Sequence, residues 1–306
     1  MWFRNLIVYR LPADWTLSAA ELEEQLGKRP LQPCGPFDMV SKGWVAPSST
    51  GRLVHSVNQQ HLIALGVNQK LLPASIIRQE AVTRAQEMAE SQGFPVGRRQ
   101  MRELKMRITE ELRSRALTRR RSTRAWLDPA GGWFVVDAGS AGKAEEVVET
   151  LRDTLGSFAV QFVETVRTPH TSMAAWLTHG DAPGRFAIEQ DLELQSGDKS
   201  KSSIRYTRHP LDGAEVRAHL STGKYPTRLG LSWSGRIAFV LTDKMLIKRV
   251  EFLEMGKEPV VEGNEKDAEE QFDIEFTVMA GELGKLLTDL VQAFGGEQVA
   301  QAAAAA

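Results

Sequence analysis

Residues 98–124, RRQMRELKMRITEELRSRALTRRRSTR, set the tightest limit on how this 306-residue chain can fold. The stretch carries eleven basic side chains (Arg98, Arg99, Arg102, Lys105, Arg107, Arg113, Arg115, Arg119, Arg120, Arg121 and Arg124) against three acids, Glu103, Glu110 and Glu111. Unpaired charges are not carried into a core, so the segment has at most one face to bury. Met101, Leu104, Ile108 and Leu112 recur at three- and four-residue spacing and supply that face, which predicts a helix from Gly97 to about Leu117. The remaining surface must meet water or a polyanion.

The segment's charge is about +8 in a chain whose total is −1, so everything else sums to about −9. One positive feature on an acidic remainder is the footprint of a protein that binds a polyanion, with a solvated helix face as the bland alternative. The acidic counterpart is equally local. Residues 251–275 hold ten acids against Lys257 and Lys266 and read as a solvated surface that would repel DNA from the outside.

An apolar share of 42% and a charged share of 25% are those of a globular protein, and the length allows two or three subdomains. They are expected as an N-terminal α+β region (1–95), a basic helix with a ββαβ unit (96–180), and a β-meander with a terminal helix (181–306). The single cysteine, Cys34, excludes an intramolecular disulfide and suits a reducing cytoplasm. Between Arg4 and Arg10 only five residues are uncharged, too few for a signal peptide or a membrane span. A soluble, cytoplasmic chain is expected.

Residues 3–11 read as a strand. Ser18 with Glu21 three positions later forms a capping box for a helix from Leu17 to Leu26. RLVHSV (52–57) and HLIALGVNQKLL (61–72) read as a hairpin, followed by a helix from Pro73 to about Ser91. Arg119, Arg120 and Arg121 fall where the basic helix should end, and are expected at a turn that projects from the surface. RAWLD and GWFVVDA flank a Pro129-Ala130-Gly131 turn, with Trp126 and Trp133 in the core. A helix from Ser140 to Leu155 and a strand at 159–164 complete the unit. Residues 180–203 read as polar and irregular, Asp212 to Leu220 as a short helix. RLGLSW, RIAFVLT and MLIKRVEFL form a meander, and Met279 to Phe294 the last helix.

No catalytic pattern emerges. The six histidines are scattered, and there is no HExxH, CxxC, GxSxG or strand-linked GxGxxG. GSAGK (139–143) and STGK (221–224) are not phosphate loops, because Asp137 and Ala218 occupy the place of the first glycine. No cofactor and no metal are expected, and a binding protein is read in preference to an enzyme. The basic stretch lacks exposed aromatic residues on which single-stranded bases would stack, which favours the duplex backbone, read without regard to sequence. The candidate DNA-binding residues are Arg98, Arg102, Lys105, Arg113, Arg115, Arg119, Arg120, Arg121 and Arg124, with Arg208 from a second basic loop, SIRYTRHP. A protein–protein adaptor that docks an acidic partner, and a metal-dependent nuclease, are the competing readings.

MWFRNLIVYRL, RALTRRRSTRAWLD, KAEEVVETLRDTLGSF and MAGELGKLLTDLVQAFGGE together resemble the RdgC family of bacterial recombination-associated proteins. The resemblance is collinear over essentially the whole chain. It implies an α+β fold without catalytic activity. It also implies an elongated, curved subunit that closes with a second copy into a ring around double-stranded DNA, restraint of the RecA recombinase, and association with the nucleoid. In such a ring the contact that opens and closes, a dimer gate, would here involve Arg120, Arg208 and His209. Arginine at position 120, where some relatives carry an aromatic residue, implies charge repulsion across the two-fold axis.

Overall fold

Ser18 caps the first helix as its sequence predicts. Its hydroxyl accepts from the Glu21 amide at 3.3 Å, and the Glu21 carboxylate accepts from the Ser18 amide at 2.9 Å. This helix, α1 (Ala19–Gly27), follows strand β1 (Asn5–Arg10). The structure, a computed structural model, describes residues 2–12, 14–253 and 265–298, with the backbone alone at 265–267. Glu254, Glu258 and Glu262 of the acidic run therefore lie outside the described residues.

β2 (Val40–Val45), β3 (Val54–Val57) and β4 (Gln60–Lys70) come next. Asn58 and Gln59, with φ of 51° and 62°, make the two-residue turn between β3 and β4. Helices α2 (Ala74–Gln92) and α3 (Arg98–Arg115) then separate β4 from β5 (Thr118–Asp128), and β6 (Trp133–Asp137) completes a hairpin with β5. α4 (Ala141–Leu155), β7 (Gln161–Phe162), α5 (Pro169–His179), β8 (Phe186–Ser196), β9 (Ser203–Tyr206) and α6 (Ala214–Ser221) follow. The meander β10 (Lys224–Trp233), β11 (Ile237–Thr242) and β12 (Ile247–Phe252) precedes a 29-residue helix, α7 (Glu265–Ala293).

The fold is α+β as expected, but the separate small sheets are replaced by one antiparallel sheet of twelve strands. Its order is β2-β4-β5-β6-β1-β12-β11-β10-β8-β9, with β3 added beside β4 and β7 beside β1. The two halves join where β1 meets β12 through only two residue pairs, Asn5 with Lys248 and Leu6 with Ile247. α1 and α4 cover one face of the first half, where Leu22, Leu26, Val147 and Leu151 pack on Ile7, Leu65, Ala125 and Phe134. The other face is continuous through both halves. There α5, α6 and α7 bury Trp176, Val216, Phe276 and Leu286 against Trp126, Trp133, Leu229 and Trp233.

Four expectations need correction. Residues 186–196, read as irregular, form β8. FAIEQDLEL places apolar Phe186, Leu192 and Leu194 inward while acids face out, so the charges mask a half-buried strand. Arg119, Arg120 and Arg121 lie inside β5 and pair with Gln69, Asn68 and Val67 rather than standing at a turn. α7 begins fourteen residues before Met279, and the strand expected at 159–164 shrinks to two residues. β2 and α5 are additional elements that sequence periodicity did not reveal.

Candidate nucleic-acid interface

The basic helix belongs to a helical hairpin. Gly93, with φ of 80°, ends α2, and Gly97 opens α3 with its amide donating to Gln100 Oε1 at 3.0 Å. The two helices share a core of Ala81, Ala85, Leu104 and Ile108, flanked by Ile77, Met88, Met101 and Leu112. This is the apolar face expected of α3, and it is a small one. A polar clasp reinforces it: the Arg84 guanidinium donates to Glu80 and to Glu111, each at 2.7 Å. Those hydrogen bonds push Arg84 above its ordinary pKa, and the bond from Arg84 holds Glu111 below the usual carboxylate range.

With one face spent on α2, the other carries the charge. Arg98, Arg102, Lys105 and Arg113 line a shallow groove of about 600 Å³ along α3, together with Met101, Met106, Thr109 and a single acid, Glu110. Among the described residues Arg98, Arg102 and Lys105 have no ion-pair partner, whereas Arg99 is paired with Glu103 at 3.1 Å. Arg113 is tethered by donation to the Phe37 carbonyl at 3.1 Å, and Arg115 is exposed at the helix end. The free cations thus sit at one-turn spacing on a single stripe.

Strand alternation divides the arginines of β5. Arg119 and Arg121 point to the side of α4, as do Ala125 and Leu127, while Arg120 and Arg124 share the side of Trp126. Arg119 and Arg120 are exposed. Arg121 is taken up by Glu146 of α4 at 2.6 Å, and Lys42 of β2 reaches the same carboxylate at 3.0 Å. Burial pushes Glu146 up, but the hydrogen bonds from Arg121 and Lys42 outweigh it and leave it below its ordinary value.

Arg208 and His209 lie in the other half of the molecule. Arg208 adopts φ of 53° with its amide donating to Asp191 at 3.2 Å, and the His209 ring leans on Tyr206 at 5.3 Å. Six strands separate β9 from β5 in the sheet order, so one subunit does not bring Arg208 and His209 to Arg120. At the end of β4 and β5 stands an apolar cluster that sequence reasoning missed. Phe37 and Leu117 are 80% and 79% exposed, and the Leu71 amide donates to the Leu117 carbonyl at 2.7 Å. Phe37 follows a Pro/Gly loop, Leu71 reads as part of a strand and Leu117 as the end of the basic helix, so no local signal marks them as a group.

The two buried histidines are structural. His61 contacts Ser56 Oγ at 2.9 Å, and His55 lies edge-on to Phe272 and Phe276 with Nε2 3.2 Å from Asp273 Oδ1. Among the described residues no three His, Cys, Asp or Glu side chains converge in a way that could hold a metal ion. No helix among them is long and apolar enough to cross a membrane.

Residues 1–297 match the family described as "Putative exonuclease, RdgC". The chain is 49% identical over 302 residues to the recombination-associated protein RdgC of Dechloromonas aromatica, covering 98% of this chain and 99% of the relative. It belongs to the RdgC family. The RdgC proteins of Cupriavidus pinatubonensis and Herminiimonas arsenicoxydans are 45% and 44% identical, with at least 97% of this chain and 99% of each relative covered. An RdgC sequence thus supplies every element around the basic hairpin, and the motifs that carried the resemblance fall on β1, β5, α4 and α7.

Proposed function

We propose that this RdgC-family protein binds double-stranded DNA without regard to sequence, as a homodimer that closes into a ring around the duplex. The observation that carries the reading is the unpaired stripe of Arg98, Arg102 and Lys105 on a hairpin whose only other face is spent on its own small core. Such a stripe offers cationic donors at one-turn spacing to successive phosphates and no acceptor among them, so it is suited to positioning the protein on the backbone rather than to telling base pairs apart. Arg113, Arg115, Arg119, Arg120, Arg124 and Arg208 extend the same set, while Arg121 serves the contact between β5 and α4.

The apolar cluster of Phe37, Leu71 and Leu117 beside Arg119 and Arg120 supports a contact with a second copy at this end of the sheet. Charge repulsion between the copies of Arg120 would oppose that contact, and DNA phosphates would relieve it. Duplex DNA is therefore expected to tighten the dimer, and a dimer affinity indifferent to DNA would refute the relief. Occupation of the duplex by such a ring would restrain RecA by competition for DNA, at the nucleoid.

The decisive experiment is duplex binding against salt concentration on two unrelated sequences, with RecA strand exchange on the same substrates. Equal affinities and one steep common slope are expected. Absence of binding at low salt would leave the basic helix as a docking face for an acidic protein. The exonuclease in the family description is addressed in the same tubes: no loss of duplex ends is expected with Mg²⁺ or Mn²⁺, and divalent-dependent degradation would overturn the non-catalytic reading.

A further inference from the structure

The face of the second half of the sheet that carries no helix holds a charged trough of about 180 Å³, which reaches Asn5 of β1 and Gly139 at the junction with the first half and shares no residue with α3. Five cations account for its chemistry or border it: Arg205 of β9, Arg228 of β10, Lys248 and Arg249 of β12, and the loop residue Arg208. Two carboxylates, Asp191 and Glu193 of β8, stand among them.

The arrangement is built rather than scattered. Register places Glu193 directly between Arg228 and Arg205, with the Arg228 guanidinium 3.7 Å from its carboxylate. Asp191 holds two strained residues at once: its Oδ1 accepts from the Arg208 amide at 3.2 Å and its Oδ2 from the Arg249 guanidinium at 3.4 Å. Arg208 and Arg249 both have φ of 53°, a region that residues other than glycine enter rarely and where strain gathers at functional sites. The register of the strands shifts between Pro226 and Arg228, Leu229 and Leu231, and Ala238 and Val240, so the ladders are irregular around the same patch. Gly230 leaves the floor without a side chain, between Val240 and the backbone of Asp191. Lys248 and Arg205 have no ion-pair partner among the described residues. Towards the other end of this face stand Glu189 and Glu251, so positive charge is confined to the trough.

We infer that this trough is a second phosphate-binding site, and that its ligand is the phosphodiester backbone of duplex DNA. The inference rests on the DNA-binding function proposed above and adds residues that the basic helix does not include. Lys248, Arg205 and Arg228 grip the phosphate, Asp191 fixes the backbone around them, and Glu193 holds Arg228 until a phosphate displaces it. A sheet face that served only as a solvated surface would have no use for two strained arginines on one carboxylate.

The test compares full-length wild type with R228Q/K248Q, E193Q and, as the reference for α3, R102Q/K105Q. A fluorescent duplex is titrated between 50 and 200 mM salt. R228Q/K248Q is expected to make the slope of log K against log salt shallower by about 1.8 per subunit, from two lost contacts at about 0.9 each. E193Q frees Arg228 and removes the negative charge opposite Arg205, and is expected to bind more tightly, which a folding defect would not produce. An unchanged slope for R228Q/K248Q beside a reduced one for R102Q/K105Q would overturn the trough and leave the proposed function standing. Weaker binding by E193Q would also overturn it. In a parallel arm, inorganic pyrophosphate is tested for thermal protection. Protection lost in R228Q/K248Q while its DNA slope stays unchanged would assign the trough to a small phosphate and overturn the backbone assignment. Wild type without salt-dependent duplex binding would overturn both readings.

Discussion

Replacing Arg98, Arg102 and Lys105 together by glutamine removes the unpaired stripe and little else. All three are exposed, none has an ion-pair partner among the described residues, and glutamine is a good helix former, so α3 stays intact. At a rise of about 1.5 Å per residue, the seven positions from 98 to 105 span about 10 Å, the axial length of three phosphates on one strand. Three lost contacts at about 0.9 each lower the salt slope by about 2.7 per subunit. Between 50 and 200 mM salt, the loss of affinity suffered by the wild type shrinks about 40-fold in the variant. If both subunits of a dimer engage one duplex, the change in slope doubles to about 5.4. Anisotropy of a labelled 30-base-pair duplex reads the slope, and sedimentation read in parallel checks that the subunit state is unchanged. A variant with the wild-type slope would refute the assignment of α3 to the DNA backbone, whatever its affinity at a single salt concentration.

Three further outcomes are expected. E146Q leaves Arg121 and Lys42 facing an uncharged amide and should cost about 1–3 kcal/mol in urea unfolding at pH 7. Because the folded state holds Glu146 below its ordinary pKa, that difference should narrow as pH falls below about 4.3, and a constant difference would refute the pairing. I108A should melt the α2–α3 hairpin locally, since only four residues are buried there and Ile-to-Ala changes cost about 2–5 kcal/mol. Hydrogen exchange should quicken over 74–115 and stay slow in the sheet, and uniform quickening would count against an independent hairpin. Burial lowers the pKa of both His55 and His61, so the unfolded chain binds their protons first and stability should fall as pH drops below about 6.5. H55Q/H61Q should flatten that decline, by at most about 1.4 kcal/mol per pH unit per histidine, and thermal melts from pH 7 to 5 would read it.

Local signals in the sequence reached far but stopped at consistent places. The cap at Ser18, the turn at Asn58, the meander of β10 to β12 and the apolar face of α3 each depend on residues within one or two turns of one another, and all stand where they were expected. Arg119 to Arg121 were misplaced because their strand character comes from β4. Ten successive pairs from His61–Leu127 to Lys70–Thr118 hold a run with no apolar alternation of its own. The trough around Asp191 was invisible for a related reason, since its cations are drawn from strands spread over residues 205–249 and meet only through register. Phe37 and Leu117 lie 80 positions apart in sequence and come to the same end of the sheet, and nothing near either one signals the other.

The narrow junction of the sheet gives α7 a task beyond packing. With two residue pairs between β1 and β12, the strands alone form a weak hinge line through the middle of the molecule. α7 lies across that line like a splint. Its Asp273 end meets His55 of β3, Met279 accepts from the Phe3 amide, Gly284 lies over Trp126, and Asp289 accepts from the Trp233 indole of β10. Mechanical load applied to one half of the sheet therefore reaches the other in large part through this rod. A protein that must hold its outline against a stiff polymer would have its compliance set by the seating of that rod, far from any residue that touches the polymer.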